Sequence, residues 1–243
     1  MSRASGSAQG KKILVVKTGE PVPKIAEKRG QFADLIAGSI GATFTGEYAV
    51  VDVRTEDPLD LGRVADAIVI TGSAANVPTR EAWMLRTETW LREVVAAGTP
   101  VFGICFGHQI LAQALGGEVQ KNPRGREIGT IAVEQTVDDP LFDGLPARFA
   151  ANVTHIDTVV RLPPGAVGLA RSPLEDYHAI RFTPSCYGVQ FHPEIDAEVM
   201  RGYIDTRREI LASEGFDVEA MLASIGEGDP GRRTLQNFVR QFL

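Results

Sequence analysis

What this sequence lacks narrows its work. It has two cysteines in 243 residues, too few for a disulfide framework, so a reduced, cytoplasmic setting is the default expectation. No apolar run approaches the roughly 20 residues of a membrane-spanning helix. Acidic residues outnumber basic ones, 31 to 25, and the net charge of −6 comes with no basic stripe, which argues against a nucleic-acid partner. No CxxC or HExxH pattern gathers a metal, and no glycine loop cradles a phosphate, so neither a metal nor a cofactor is expected. Residues 1–11 lack the apolar core of a secretory signal and are expected as a disordered lead-in. The composition that remains, 44% hydrophobic, suits one globular domain with a sizeable core.

One stretch organises the rest. Val101 to Ile104 is an apolar strand run, and Ile110, Leu111, Ala114 and Leu115 follow at helical spacing up to Gly116-Gly117. Cys105 therefore falls at a strand-to-helix turn, with Gly103 and Gly107 two positions away on either side. That is the pattern of a nucleophile elbow, where only small neighbours fit beside a strained turn. The sulfur is raised at the carboxyl end of a strand and sits at a helix N-terminus, which favours thiolate. The backbone N–H of Phe106 is free to face an oxyanion. Taken alone, a cysteine in an apolar run is more often an inert core thiol.

A distal partner changes that balance. Gly188-Val189-Gln190-Phe191 runs as a strand into His192, Pro193 ends the ladder, and Glu194 follows. A cysteine acyl-transfer site needs a base and a group that holds the imidazole in the right tautomer. Cys105, His192 and Glu194 supply those roles in that order.

Gly-Ile-Cys-Phe-Gly-His-Gln with a distal Phe-His-Pro-Glu resembles the class I (triad) glutamine amidotransferase family, from about Lys12 to Glu194. The likeness is to stand-alone members similar to the amidotransferase domain of GMP synthase. It implies an α/β fold, with an open, mostly parallel, flavodoxin-like sheet, flanking helices, a small β extension and a helical C-terminal tail. The amidotransferase unit is expected over 12–195 and its helical extension over 196–243. The resemblance also implies further site residues. Gly72-Ser73 stands where the family has an oxyanion turn, so Gly72 or Ser73 is expected to join Phe106 there. Ala74 and Asn76 depart from the family's usual Pro and Ser, and a backbone donor survives both changes. Gln109 stands where a glutamine holds the substrate's α-amino or carboxylate end. Thr154-His155-Ile156-Asp157 resembles the Ser-His-x-Asp segment that lines the glutamine pocket through its backbone. His155 lacks a following Pro-Glu and ranks behind His192 as base, and His108 reads as structural.

Along the chain, strands are expected at Lys12–Lys17, Tyr48–Val53, Ala67–Thr71, Glu118–Gln120, Ile128–Val133, Ala166–Ala170, Tyr177–Phe182 and Tyr187–Phe191. Single helices are expected at Ile25–Ile40 and Arg80–Ala97, and the tail reads as helices at 198–213, 218–225 and 233–242, covering a sheet edge or docking a partner. The basic loop Lys121–Arg126 reads as a solvated hairpin tip. The expected activity is hydrolysis of the glutamine side-chain amide through a thioester, with ammonia passed to an unidentified acceptor or a synthetase partner. Two alternatives stand beside it. One is a stand-alone γ-glutamyl peptidase or hydrolase acting on γ-glutamyl compounds, and the other is a catalytically weak regulatory or partner-binding module.

Overall fold

A computed structural model describes residues 10–56, 65–226 and 230–243. Residues 1–9 of the expected lead-in lie outside the described residues. Strand β1 (Lys12–Lys17) is buried along its middle because both of its faces are covered. Ile13 and Val15 enter one core, and Leu14 and Val16 enter another on the opposite side. The single helix expected over 25–40 is two, α1 (Pro23–Arg29) and α2 (Phe32–Ile40). Gly30 takes φ 82° between them, and the Asp34 carboxylate accepts from the Gln31 N–H at 2.7 Å, restarting the helix.

Strands β2 (Glu47–Asp52) and β3 (Ala67–Ile70) flank β1 in parallel. Helix α3 (Ala82–Ala96) begins later than expected, because Arg80 at φ 55° closes the preceding turn. It buries Trp83, Leu91, Val94 and Val95 as its periodicity predicts, and Gly98 at φ 77° follows its end. Strand β4 (Val101–Ile104) leads into α4 (Phe106–Ala114).

Seven more strands follow: β5 (Glu118–Lys121), β6 (Glu127–Gln135), β7 (Arg148–His155), β8 (Asp157–Arg161), β9 (Val167–Arg171), β10 (Ala179–Thr183) and β11 (Cys186–Val189). Residues 121–126 are not a hairpin tip. β5 pairs with β8 in a sheet of its own, whereas β6 pairs with β7 and β9. The connecting segment is tied down instead, with the Asn122 N–H on the Ile156 carbonyl at 2.8 Å and its side-chain amide on the Leu174 carbonyl at 2.7 Å.

The main sheet has the order β2-β1-β3-β4-β11-β10-β9-β6-β7. The first five strands are parallel and the later pairings antiparallel. β9 and β7 thus run with the first five, and the sheet is open and mostly parallel. Helices α3 and α4 cover one face.

The tail corrects two expectations. The helix expected over 198–213 is α5 (Ala197–Thr206) and α6 (Arg208–Ser213), broken at Arg207. After α7 (Val218–Ser224), helix α8 (Arg232–Phe242) lies on a face of the sheet rather than along an edge, its Phe238 ring 5.2 Å from that of Phe102. The aromatic pair and Leu235 fill the core opposite α3 and α4. A third core joins α5 to α1 and α2 through Ile25, Phe32, Tyr203 and Ile204. Among the described residues no helix is long and apolar enough to cross a membrane.

Candidate active site

The register of two neighbouring strands builds the site. β11 runs parallel to β4 with Val189 opposite Ile104, so the chain leaves both strands at the same end of the sheet, where open α/β sheets gather their chemistry. Cys105 follows β4 at φ 50° and ψ −100°, a conformation that costs a non-glycine residue about 1–3 kcal/mol. Its flanking glycines are required by contact. A Cβ on Gly103 would come within 2.7 Å of the His108 nitrogen, and one on Gly107 within 2.6 Å of the Ile70 carbonyl oxygen. Phe106, the first residue of α4, has no intrahelical partner for its N–H.

Across β11, the Nδ1 of His192 faces Glu194 Oε1 at 2.8 Å, with both side chains buried. A carboxylate only accepts, so Nδ1 carries the proton of that bond. Nε2 is buried without a hydrogen-bond partner, and the Cys105 sulfur is close enough to act on the ring's charge. Burial alone would lower the His192 pKa, but Glu194 and then Cys105 outweigh it and raise it to about 10. Gly72 clears space here: a Cβ on it would come within 2.9 Å of His192 Cε1 and 3.8 Å of Cys105 Cβ. Ser73 stands beside it with its hydroxyl donating to the Thr18 carbonyl at 2.8 Å, so the turn offers backbone rather than side chain to the site. Thr18 braces the turn from β1, its N–H on Thr71 Oγ1 at 3.0 Å.

The Cys105 sulfur lies 4.0 Å from the Thr154 carbonyl oxygen and accepts from Gln190 Nε2 at 3.4 Å. Gln190 belongs to the distal motif, yet sequence reasoning gave it no role. Its Oε1 accepts from Gln109 Nε2 at 3.0 Å, which also donates to the Asp157 carbonyl at 2.9 Å. The Gln109 amide nitrogen is thus committed to the protein, leaving its oxygen for a guest. A cavity of ≈ 70 Å³ touches Cys105, Gln109, Thr154, His155 and Ile156. A second, of ≈ 230 Å³, opens on His192, and both reach Ser73, Thr154 and Arg207.

His155 has neither ring nitrogen to spare. Nδ1 faces the Asp157 carbonyl at 3.0 Å and Nε2 faces Glu127 Oε2 at 3.0 Å. Both partners only accept, so the ring carries both protons. Burial would lower its pKa, but the Glu127 bond and the Glu175 charge raise it. Glu127 also accepts from Ser172 Oγ at 2.6 Å and from His178 Nε2 at 2.9 Å. Burial would raise its pKa, but those bonds hold it well below the carboxylate range. Glu127, His155 and His178 each place a ligand atom within 4.8 Å of the others, a donor set that suits zinc. His108 is fully buried beside Gly188, and burial lowers its pKa to about 3, so it stays neutral.

An open, mostly parallel sheet with a thiol on an elbow, beside a histidine held by a carboxylate, defines a class of α/β enzyme. The family model of class I glutamine amidotransferases matches residues 38–205, and the chain belongs to that family of enzymes. It is 38% identical over 169 residues to GMP synthase (glutamine-hydrolyzing) of Aeropyrum pernix, a match covering 68% of this chain and 31% of that protein. The chain therefore spans about a third of that relative's length. It is 33% identical over 172 residues to a glutamine-hydrolyzing GMP synthase subunit of Methanopyrus kandleri, covering 70% and 88% of the two chains. With gamma-glutamyl peptidase 5 of Arabidopsis thaliana it shares 27% identity over 201 residues, covering 81% and 80%. A glutamine amidotransferase from Thermotoga maritima has the same fold, with a TM-score of 0.70 at 20% identity over 94% of this chain and 96% of that one.

Proposed function

We propose that the chain hydrolyses the side-chain amide of glutamine through Cys105, His192 and Glu194 and passes ammonia to an acceptor or a synthetase partner. The observation that carries this reading is the junction of β4 and β11, where the elbow thiol, the Nε2 of His192 and the Glu194 carboxylate meet. The Cys105 sulfur, its proton passed to His192, attacks the γ-carbonyl carbon. The oxyanion faces the N–H groups of Phe106 and of the Gly72-Ser73 turn. His192, held by Glu194, gives its proton to the leaving nitrogen, and a γ-glutamyl thioester remains. Water, deprotonated by His192, then releases glutamate. Thr154, His155 and Ile156 border the glutamyl half with backbone, and Gln109 offers its amide oxygen. Glutamate release by wild type and Cys105→Ser tests the reading. Turnover falls on the order of 10³-fold or more in the variant, and release at the wild-type rate overturns the assignment.

A second reading keeps the chemistry and enlarges the leaving group. The cavity beside His192 holds ≈ 230 Å³, whereas a water-sized molecule such as ammonia needs roughly 10–15 Å³. The similarity to a gamma-glutamyl peptidase points the same way. Assay of γ-glutamyl peptides beside glutamine separates the two readings.

A further inference from the structure

The tail returns two side chains to the site. Helix α5 ends at Thr206, and Arg207 (φ −103°, ψ 14°) breaks it, so its guanidinium reaches Thr154, with Nη1 donating to Oγ1 at 2.6 Å. The Arg207 Cζ lies 5.1 Å from the ring centre of Tyr203, one helical turn earlier. The neighbouring Arg126 is held by Glu214 at 2.7 and 2.9 Å. Arg207 has no carboxylate partner among the described residues, and most of its guanidinium fork is unoccupied. Burial lowers its pKa, and the Arg126 cation adds to that.

Tyr203 is 4% exposed. Its hydroxyl is buried near the Val22 backbone but outside bonding geometry, and has no hydrogen-bond partner. Burial holds the phenol pKa up, so the hydroxyl keeps its proton as a donor. Both side chains line the ≈ 230 Å³ chamber that opens on His192, together with apolar Val22, Pro23 and Phe32 and with Glu20, whose charge is met by Lys17 and Arg54. A cation without an anion and a buried hydroxyl without an acceptor are both left short. One carboxylate satisfies both, with two oxygens on the guanidinium fork and one also accepting from the phenol.

We propose that Tyr203 and Arg207 form a receptor for a carboxylate on the leaving-group half of the acyl donor, which lets the site take γ-glutamyl amides of apolar α-amino acids beside glutamine. The proposal rests on the thioester reading above. An α-amino acid carries its carboxylate one carbon from the nitrogen that leaves, and that nitrogen is the atom His192 serves. The sulfur, its proton passed to His192, adds to the γ-carbonyl carbon, and as the oxyanion collapses the carbon–nitrogen bond breaks and the His192 proton goes to the departing amine. Water then cleaves the thioester to glutamate.

The test compares three donors: L-glutamine, γ-glutamylphenylalanine, and the same dipeptide with its carboxylate capped as an amide. In wild type, kcat/KM for the free acid exceeds that for the capped form by about tenfold to a hundredfold. Arg207→Met abolishes that preference, Tyr203→Phe reduces it several-fold and Arg207→Lys retains part of it, the readout being the acid-to-amide ratio within each protein. Equal loss on all three donors would put the guanidinium on the glutamyl half and overturn the proposal, as would a wild type that does not distinguish acid from amide. Calorimetry with Cys105→Ala protein and the same donors needs no turnover. Arg207-dependent preference for the free acid there, without hydrolysis by wild type, keeps the receptor and overturns the thioester reading. Hydrolysis of glutamine without any such preference does the reverse.

Discussion

Of the histidines that lean on buried carboxylates, His192 on Glu194 and His155 on Glu127 do so at nearly the same bond length, 2.8 and 3.0 Å. Both have raised pKa values, and in both the carboxylate overcomes burial. They differ in the other nitrogen. His192 keeps Nε2 without a partner beside a thiol, whereas His155 spends Nδ1 on the Asp157 carbonyl. A shared carboxylate and a shared pKa direction therefore do not make a base. The spare nitrogen beside the thiol is what fits His192 to the role proposed for it, and the fully bonded His155 ring braces the pocket wall.

Substitutions sharpen that contrast. His192→Asn should cost on the order of 10³-fold or more in glutamate release with a normal melting curve. Glu194→Gln should cost on the order of 10²-fold. It should also move the alkaline limb of the pH–rate profile to lower pH, because Glu194 is the main group raising His192 toward about 10. A limb that stays in place separates Glu194 from the His192 proton. Gln190→Leu removes the amide donor to the sulfur and should reduce turnover by about tenfold, measured as glutamate release.

Glu127→Gln should leave turnover per folded molecule within about threefold, yet destabilise the protein by about 3–5 kcal/mol, since it strands a buried imidazolium. The sign with pH follows from the two shifts. Glu127 has a depressed pKa, so its contribution exists above the ordinary carboxylate value and is lost as pH falls through the folded one. His155 has a raised pKa, so its contribution is full below about 6.5 and is lost as pH rises through the folded one. The gap between wild type and variant should be widest near pH 5–6 and narrow on the alkaline side. Denaturant titrations across pH measure it, and a gap that widens with pH contradicts the charged pair.

The legible parts of this molecule were those whose chemistry is written in adjacent residues. The elbow demands small residues two positions either side of its nucleophile, and Gly103 and Gly107 stand there for the contacts the structure shows. His192 and Glu194 lie two residues apart, so one turn suffices to join them. Gln190 was in view in the same motif, but its bond to Cys105 depends on a neighbouring strand. Glu127 and His178 meet through a sheet built after the elbow, with partners 51 residues apart, and no local spacing announces them. The breaks at Gly30 and Arg207 were hidden by apolar periodicity that continues across both. Arg207 itself reads as one more charge on a tail helix until α5 stops short beside Thr154.

The place of β11 has a consequence for how activity is gained and lost. The strand enters between β4 and β10, and the two ends of the site it joins are 85 residues apart in the chain. A loop of that length closes late and slowly. We expect the elbow to form before its partner arrives, and a newly made chain to stay inert until the excursion through β5 to β10 has folded back. On the reading proposed above, opening at the same seam would silence the enzyme. A molecule frayed only at β11 would keep its parallel core from β2 to β4 and lose the proposed base, so inactivation on heating should run ahead of the loss of helix signal.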